Sequence, residues 1–405
     1  MDGITAATPP DDRTQPPSVG TGTIALLGLI SGVAAANIYY NQPLLGLMDR
    51  SFEGLSAGEA ARTIPAATLI GYAVGILTLI PLGDRFVRRK LIAVQMAILS
   101  LALIGAALAP SLSLLAIASF AIGVLSTAAQ QTVPFAADLA DDKTRGRTVG
   151  LVMTGLLLGI LLARTISGFV GDLFGWRVVF AMGAGVCLLL AVVAWRALPY
   201  RPVAERLSYG ALFGSLVTLI VHQPVLRQAS LAQAFLFACF NAFWVTLVLL
   251  LEGPPFDLGP MEIGLFGVIG AAGVLAAPLS GRLADRMDGA RVCLAGIVIV
   301  LISFAVFAFS GQSLVGLILG TILLDFGVNV AHIANQTRIY ALDPAARGRI
   351  NTVYMSVMFI GGAIGSTIGT QAWAFGGWIA VCLAGIIFSA ASIATVTLTN
   401  RRVKA

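Results

Sequence analysis

The chain has 405 residues, of which 58% are apolar without counting its 45 glycines and only 11% are charged, with a formal net charge of +6. Soluble domains hold about 25% charged residues and about 45–50% apolar ones with glycine included, so this chain cannot cover itself with polar side chains in water. That excludes a soluble enzyme, a disordered protein, a collagen and a disulfide scaffold, and leaves an integral membrane protein.

Residues 1–22 are rich in Pro, Asp, Thr and Gly and read as a disordered tail. Ala34-Ala35-Ala36 after the first apolar stretch could pass for a signal-peptidase site. Asp2, Asp11 and Asp12 against Arg13 are not the basic start of a signal peptide, however. Twelve apolar runs follow, at about 23–45, 61–82, 91–108, 112–136, 149–171, 177–198, 231–251, 263–283, 292–309, 314–339, 350–373 and 378–398. A helical span needs about 20 such residues, whereas a spanning strand would show alternation over about ten. All twelve read as helices, which makes an all-α integral membrane protein.

Residues 199–230 are the longest connection and divide the chain into six spans and six. The expected units are a tail over 1–22, a first bundle over 23–198, a linker over 199–230, a second bundle over 231–399 and a short tail over 400–405. Within the linker, Tyr209, Leu212, Phe213, Leu216, Leu219 and Ile220 recur at helical spacing, as in a helix lying in the membrane interface. Of the 25 Lys and Arg, 21 fall on one side of the twelve runs, while Arg50, Arg62 and Arg177 fall on the other and Arg164 inside a span. That bias predicts both termini in the cytoplasm. It also explains the basic charge without a nucleic-acid partner.

The halves repeat one another. Arg145-Gly146-Arg147 returns as Arg347-Gly348-Arg349 and Gly175-Trp176 as Gly377-Trp378, both displaced by 202 residues. Met153, Gly159 and Asp141 meet Met355, Gly361 and Asp343 at the same shift. Two related bundles predict a ligand site near the midplane, where they face each other. Cys187, Cys239, Cys293 and Cys382 lie inside apolar runs without metal or disulfide spacing.

Three stretches resemble the major facilitator superfamily, and the resemblance runs from about residue 23 to 400. Its loop pattern G-x-L-[AG]-D-R-x-G-R-R is matched by Gly281-Arg282-Leu283-Ala284-Asp285-Arg286 between spans 8 and 9. Between spans 2 and 3 it is matched by Leu82, Gly83, Asp84, Arg85, Arg88 and Arg89, with Ile80 and Val87 at the two glycine positions. The resemblance implies that Asp84, Arg85, Arg88, Asp285 and Arg286 gate the cytoplasmic side, with Asp138 at the end of span 4 as a partner. Span 5 reads Gly150, Gly159, Ala163-Arg164, Ser167-Gly168, which resembles the antiporter pattern G-x8-G-x3-G-P-x2-G-G with Arg164 at the proline position. Ala36-Asn37-Ile38-Tyr39-Tyr40-Asn41-Gln42-Pro43-Leu44 is similar to bacterial exporters of purine ribonucleosides and arabinose. Span 4 has Ser119 where the family usually has an arginine four residues before Gly123.

A central Asp or Arg costs about 2.5–3.5 kcal/mol to insert, so the polar residues inside spans carry the functional signal. Asp325 heads a stripe with Asn329, His332 and Gln336 at i, i+4, i+7 and i+11. Span 4 shows Thr127, Gln131, Pro134 and Asp138 at the same steps. Span 1 offers Asn37, Tyr40 and Asn41, and span 7 offers Asn241 and Trp244. By the resemblance these four spans line the cavity. Asp325 is the candidate proton carrier, with His332 second. Asn37, Tyr40, Asn41, Gln130, Gln131, Arg164, Asn241, Trp244 and Asn329 are candidates for the substrate path. Tyr39 reads as an interfacial belt residue. Arg164 could pair with Asp325, hold an anionic substrate group or snorkel to the interface.

The chain has no G-x-x-x-x-G-K-[ST] loop, metal cluster or acyl-transfer constellation, so no cofactor and no catalysis are expected. The combined expectation is a monomeric twelve-helix secondary transporter of the bacterial inner membrane. It would export a small organic solute in exchange for protons by alternating access. Two alternatives stand beside it: uptake of an anionic metabolite by proton symport, and a non-transporting sensor or scaffold.

Overall fold

Inside a bilayer, backbone N–H and C=O groups have no water to bond, so each span must satisfy its own. The computed structural model describes residues 20–52, 58–141, 144–202, 209–270, 288–343 and 346–404, and every described stretch of the apolar runs is built on helix. The first run holds α1 (Thr21–Ala36), a 3-10 turn (Gln42–Leu44) and α2 (Leu45–Ser51). Then come α3 (Glu59–Leu79), α4 (Arg88–Ala107), α5 (Leu112–Ser126) continued by α6 (Ala128–Leu139), α7 (Arg145–Phe174) and α8 (Trp176–Ala197). The linker carries α9 (Tyr209–His222), at the place the sequence periodicity gives it. The second half follows as α10 (Pro224–Leu251), α11 (Pro260–Gly270), α12 (Gly289–Phe309), α13 (Leu314–Tyr340) and α14 (Arg347–Lys404). The last of these covers two runs as two helices, parted where the backbone leaves the helical region at Gly376 and Gly377. The end of the eighth run, with Asp285 and Arg286, lies outside the described residues.

Among the described residues nine helices are long and apolar enough to cross a membrane, and no strand occurs. Their outer surfaces stay apolar, with Leu101 66% and Ile117 65% exposed, which suits lipid and not water. Local signals set the helix starts. Ser111 and Ser313 accept from Leu114 N and Gly316 N at the starts of α5 and α13, and the Asp49 carboxylate accepts from Gly58 N and Ala60 N ahead of α3.

The 202-residue displacement is visible as duplicated packing. Gly32 of α1 lies against Gly159 of α7, so closely that a Cβ on Gly159 would strike the Gly32 backbone, and one on Gly32 would strike the backbone of Gly155 a turn away. Adding 202 gives Ala234 of α10 against Gly361 of α14, and that contact exists. Small residues at such crossings let helix backbones approach, the main source of helix association in lipid. Asn37 Nδ2 donates to Cys187 Sγ at 3.6 Å, and the displaced pair, Cys239 Sγ and Ser389 Oγ, stands at 3.5 Å. Gly175 and Gly377 both take positive φ, 84° and 61°, each just before a buried tryptophan. This is the major facilitator fold of two pseudo-symmetric six-helix bundles.

The bundle's two ends differ in charge. By the order of the helices, one end, here the basic end, holds the described Arg88, Arg89, Lys90, Arg145, Arg147, Arg196, Arg338, Arg347 and Arg349; the other, the far end, holds Arg50, Arg62 and Arg177. The halves meet along two seams. Tyr72 of α3 packs on Phe359 of α14 with ring centroids 4.4 Å apart, and Gly168 of α7 lies against Pro260 and Gly264 of α11. At the far end Arg50 of α2 and Glu252, which follows α10, form an ion pair across the halves at 3.6 Å.

Candidate functional site

The functional candidates gather where the turn that follows α1, with its 3-10 segment, meets α7, α10, α11 and α13. Arg164 lies in the middle of α7, which is unbroken over its thirty residues. A proline at this position would have removed a ladder hydrogen bond and kinked the helix; the arginine keeps the bond and brings a charge. Arg164 is 5% exposed, and its Nε donates to Gln42 Oε1 at 2.5 Å. The guanidinium lies 4.1 Å from the Trp244 ring centroid and 4.8 Å from that of Tyr39. Desolvated cation–ring contacts of this kind contribute up to about 2 kcal/mol each.

Asp325 of α13 is likewise buried, 6% exposed. Glycine spacing on α11 makes room for both charges. A Cβ at Gly267 would press on the Arg164 side chain, and one at Gly270 would come 3.3 Å from both Asp325 Oδ1 and the Trp244 ring. The two charges act on each other through space, but no direct ion pair joins them among the described residues. Each keeps an unpartnered buried atom, Arg164 Nη2 and Asp325 Oδ2, and Trp244 Nε1 between them is also unpartnered. Buried polar atoms without partners are rare and costly. Three of them in one cluster, on two opposite charges and an indole, make this the candidate site, a place able to take a hydrogen-bonding guest or to change its internal pairing.

An aromatic path runs from this cluster along both halves. Trp244 meets Phe240 at 6.1 Å, Phe240 stacks on Phe237 at 5.6 Å, Phe237 meets Phe359 at 5.1 Å and Phe359 meets Tyr72. Gln130 joins its end by donating to the Tyr72 hydroxyl at 3.1 Å.

Of the residues singled out in the sequence, Arg164, Trp244 and Asp325 come together here, with Gln130 at the margin. Asn329 stays beside the cluster and donates to the Asp325 carbonyl at 2.8 Å. His332 lies two turns further toward the basic end, with Nδ1 3.0 Å from the Tyr354 hydroxyl inside the second half. Asn37 and Tyr40 share a face, as their spacing implies, but that face packs on Gly183 of α8 within the first half. Asn41 donates to Thr68 Oγ1 at 3.2 Å, also within the first half. Asn241 bonds the Phe237 carbonyl of its own helix at 2.9 Å. Gln131 donates to the Leu79 carbonyl at 2.6 Å, where α3 gives way to the 3-10 turn at Pro81.

Tyr39 does not take the belt position assigned to it; it is buried against Arg164. Gln42 was not among the candidates at all. The two are three residues apart and so share a face, the signal that would have found them together. At the basic end Asp138 meets Arg88 at 3.6 Å. Arg85 is exposed, and the Asp84 side chain lies outside the described residues.

A many-span helical bundle of two related halves, with a buried polar and aromatic centre shared between them, is the construction of a membrane transporter. The chain matches the family described as Major Facilitator Superfamily over residues 25–366 and 229–405. It is 41% identical over 377 residues to the putative uncharacterized transporter YgaY of Escherichia coli K12, covering 93% of both chains. It is 33% identical over 363 residues to the probable transporter SCO4007 of Streptomyces coelicolor, covering 89% of this chain and 83% of that one. A solved bacterial homolog to the human lysosomal transporter Spinster, inward-facing and occupied, shares the fold with a TM-score of 0.71 at 17% identity, over 94% of this chain and 97% of that one. The chain therefore belongs to the major facilitator superfamily and is a multi-pass membrane transporter.

Proposed function

We propose that this transporter exports a small organic solute in exchange for protons, from a bacterial inner membrane with its basic end in the cytoplasm. The observation that carries the reading is the Arg164–Asp325 cluster: opposite charges, buried between the halves, each with one polar atom unpaired. A carboxyl in such a place responds to hydration and to the distance of its cation. Rearrangement of the halves changes both, so Asp325 can load a proton in one state and release it in the other. Arg164 serves as the counter-charge, and the Trp244, Tyr39 and Phe240 rings give the solute an apolar wall. The excess of Lys and Arg at one end supports the orientation. An inward proton also gains about 2.3 kcal/mol per 100 mV of membrane potential, which is available to drive export.

Uptake of an anionic metabolite by proton symport is the second reading, favoured by the free Nη2 donor of Arg164. Everted vesicles with an acid interior and a pH-sensitive dye separate the two. A panel of cationic drugs, nucleosides, sugars and organic acids is added to native chain and to Asp325→Asn. Solute-triggered proton efflux that is lost in the variant supports antiport through Asp325. Proton movement in the same direction as the solute supports symport, and an undiminished response in Asp325→Asn removes Asp325 from the coupling.

A further inference from the structure

Away from the centre, the lipid-facing seam between α4 and α8 holds a groove of about 350 Å³. Its floor is made of small, buried side chains, Ala93 of α4 and Ala191 of α8, while Leu188 and Val192 rise on one wall. At the basic end the groove closes on Trp195 and Arg196, in the last turn of α8. The first turn of α4 stands opposite with Arg88, Arg89 and Lys90 and no acidic residue. Lys90 precedes Val94 by four residues and so lies on the groove side of α4.

These four cations are not equally free. Arg88 is committed to Asp138, and Arg89 donates to the Leu198 carbonyl and lies over the Tyr200 ring. Lys90 and Arg196 are exposed and make no ion pair or hydrogen bond among the described residues. The result is an apolar channel facing lipid tails, headed by two uncommitted cations and a tryptophan at headgroup level. The start of α4 adds the positive end of a helix dipole. A zwitterionic lipid would neutralise little of this charge; an anionic one complements it.

We infer that the α4–α8 groove binds one anionic phospholipid from the leaflet at the basic end. One acyl chain lies over Ala93 and Ala191, and the phosphate sits between Lys90 and Arg196. Since lipid tails are already in an apolar medium, selectivity comes from the headgroup. Two membrane-surface cations correspond to about a thirtyfold preference over a neutral headgroup.

The test is native mass spectrometry of the purified full chain with phosphatidylglycerol or phosphatidylcholine of the same acyl chains. Native protein is expected to retain phosphatidylglycerol about thirtyfold more strongly. Lys90→Gln/Arg196→Gln should fall to the phosphatidylcholine level, and Ala191→Phe, which fills the channel, should lose the bound lipid. Arg50→Gln/Arg62→Gln at the far end should behave as native. All these side chains but Ala191 are at the surface, and a thermal midpoint for each variant verifies folding. Equal retention of the two lipids by native protein, or undiminished phosphatidylglycerol in the Lys90/Arg196 variant, would overturn the assignment. Retention by a folded Ala191→Phe would overturn the groove as the seat of the chain.

Discussion

If Arg164 and Asp325 are held as a charge pair, removing them together must cost less than the two single removals imply. Arg164→Ala loses the hydrogen bond to Gln42, about 1.5–3 kcal/mol for a charged donor, and two ring contacts of about 1–2 kcal/mol each. It also leaves a carboxylate in surroundings where an unpaired charge costs about 3–5 kcal/mol. Asp325→Asn strands the guanidinium but leaves Gln42, Tyr39 and Trp244 in place to hold it, so its loss is smaller. In the double variant the stranding cost disappears from both sides. The expected coupling is about 1–3 kcal/mol, the range for residues sharing partners. Thermal midpoints in detergent at pH 7 read it directly: Arg164→Ala unfolds at the lowest temperature and the double variant above it. Strict additivity, with the double variant below Arg164→Ala by the whole Asp325→Asn decrement, would refute the pairing.

Three further outcomes follow from the geometry. Gly159 and Gly150 stand in the same span-5 pattern, yet Gly159 touches the Gly32 backbone and Gly150 has nothing within 4 Å. Gly159→Val should therefore abolish the monodisperse peak in size-exclusion chromatography, while Gly150→Ala keeps it and gains up to about 1 kcal/mol. In the vesicle assay, Tyr39→Ala should reduce transport at least tenfold by uncovering Arg164. Tyr40→Phe, altering a residue packed inside the first half, should leave it within about twofold; the reverse order would remove Tyr39 from the site. At the far end, burial is the main cause raising the Glu252 carboxyl above its usual 4.5, with Arg50 opposing and Asp49 reinforcing. The Arg50–Glu252 pair joins the halves here, so a value raised in this arrangement, taken as the closed one, means that closing the far end takes up a proton. Closure is thus favoured as pH falls toward 4.5 and loses that support as pH rises through the closed-state value. Spin labels at Phe174→Cys and Met261→Cys should show the far end closing on acidification, and Glu252→Gln should flatten the response.

The apolar runs located the spans because an unbroken length of apolar residues is itself what the bilayer demands. The interhalf face of α1 was harder to read, for a physical reason. Polar side chains in a helical bundle have two uses that look alike in sequence: lining a cavity, and satisfying a neighbouring helix. The side-chain donors of Asn37, Asn41, Asn241 and Gln131 are spent on Cys187, Thr68, the Phe237 carbonyl and the Leu79 carbonyl, although the three asparagine oxygens keep no partner among the described residues. Only the partners reveal this, and partners on other helices have no sequence period. Gln131 is legible in retrospect, since Pro81 ends α3 and leaves carbonyls near that turn needing donors.

The repeat also says where to look for a site, by where it fails. Packing contacts survive displacement by 202 residues almost unchanged, from Gly32–Gly159 to Ala234–Gly361 and from Asn37–Cys187 to Cys239–Ser389. The same displacement carries Gln42 to Trp244 and Arg164 to Ser366. Here the duplicated frame is kept and the chemistry is replaced: a hydrogen-bonded Gln–Arg pair in one half, an indole and a buried hydroxyl in the other. Because the halves face each other, the unlike members meet, and Trp244 covers the guanidinium that Gln42 orients. One buried charge thus stands on each side of the symmetry axis without a direct ion pair, the arrangement that the proposed exchange of pairing between the halves would use.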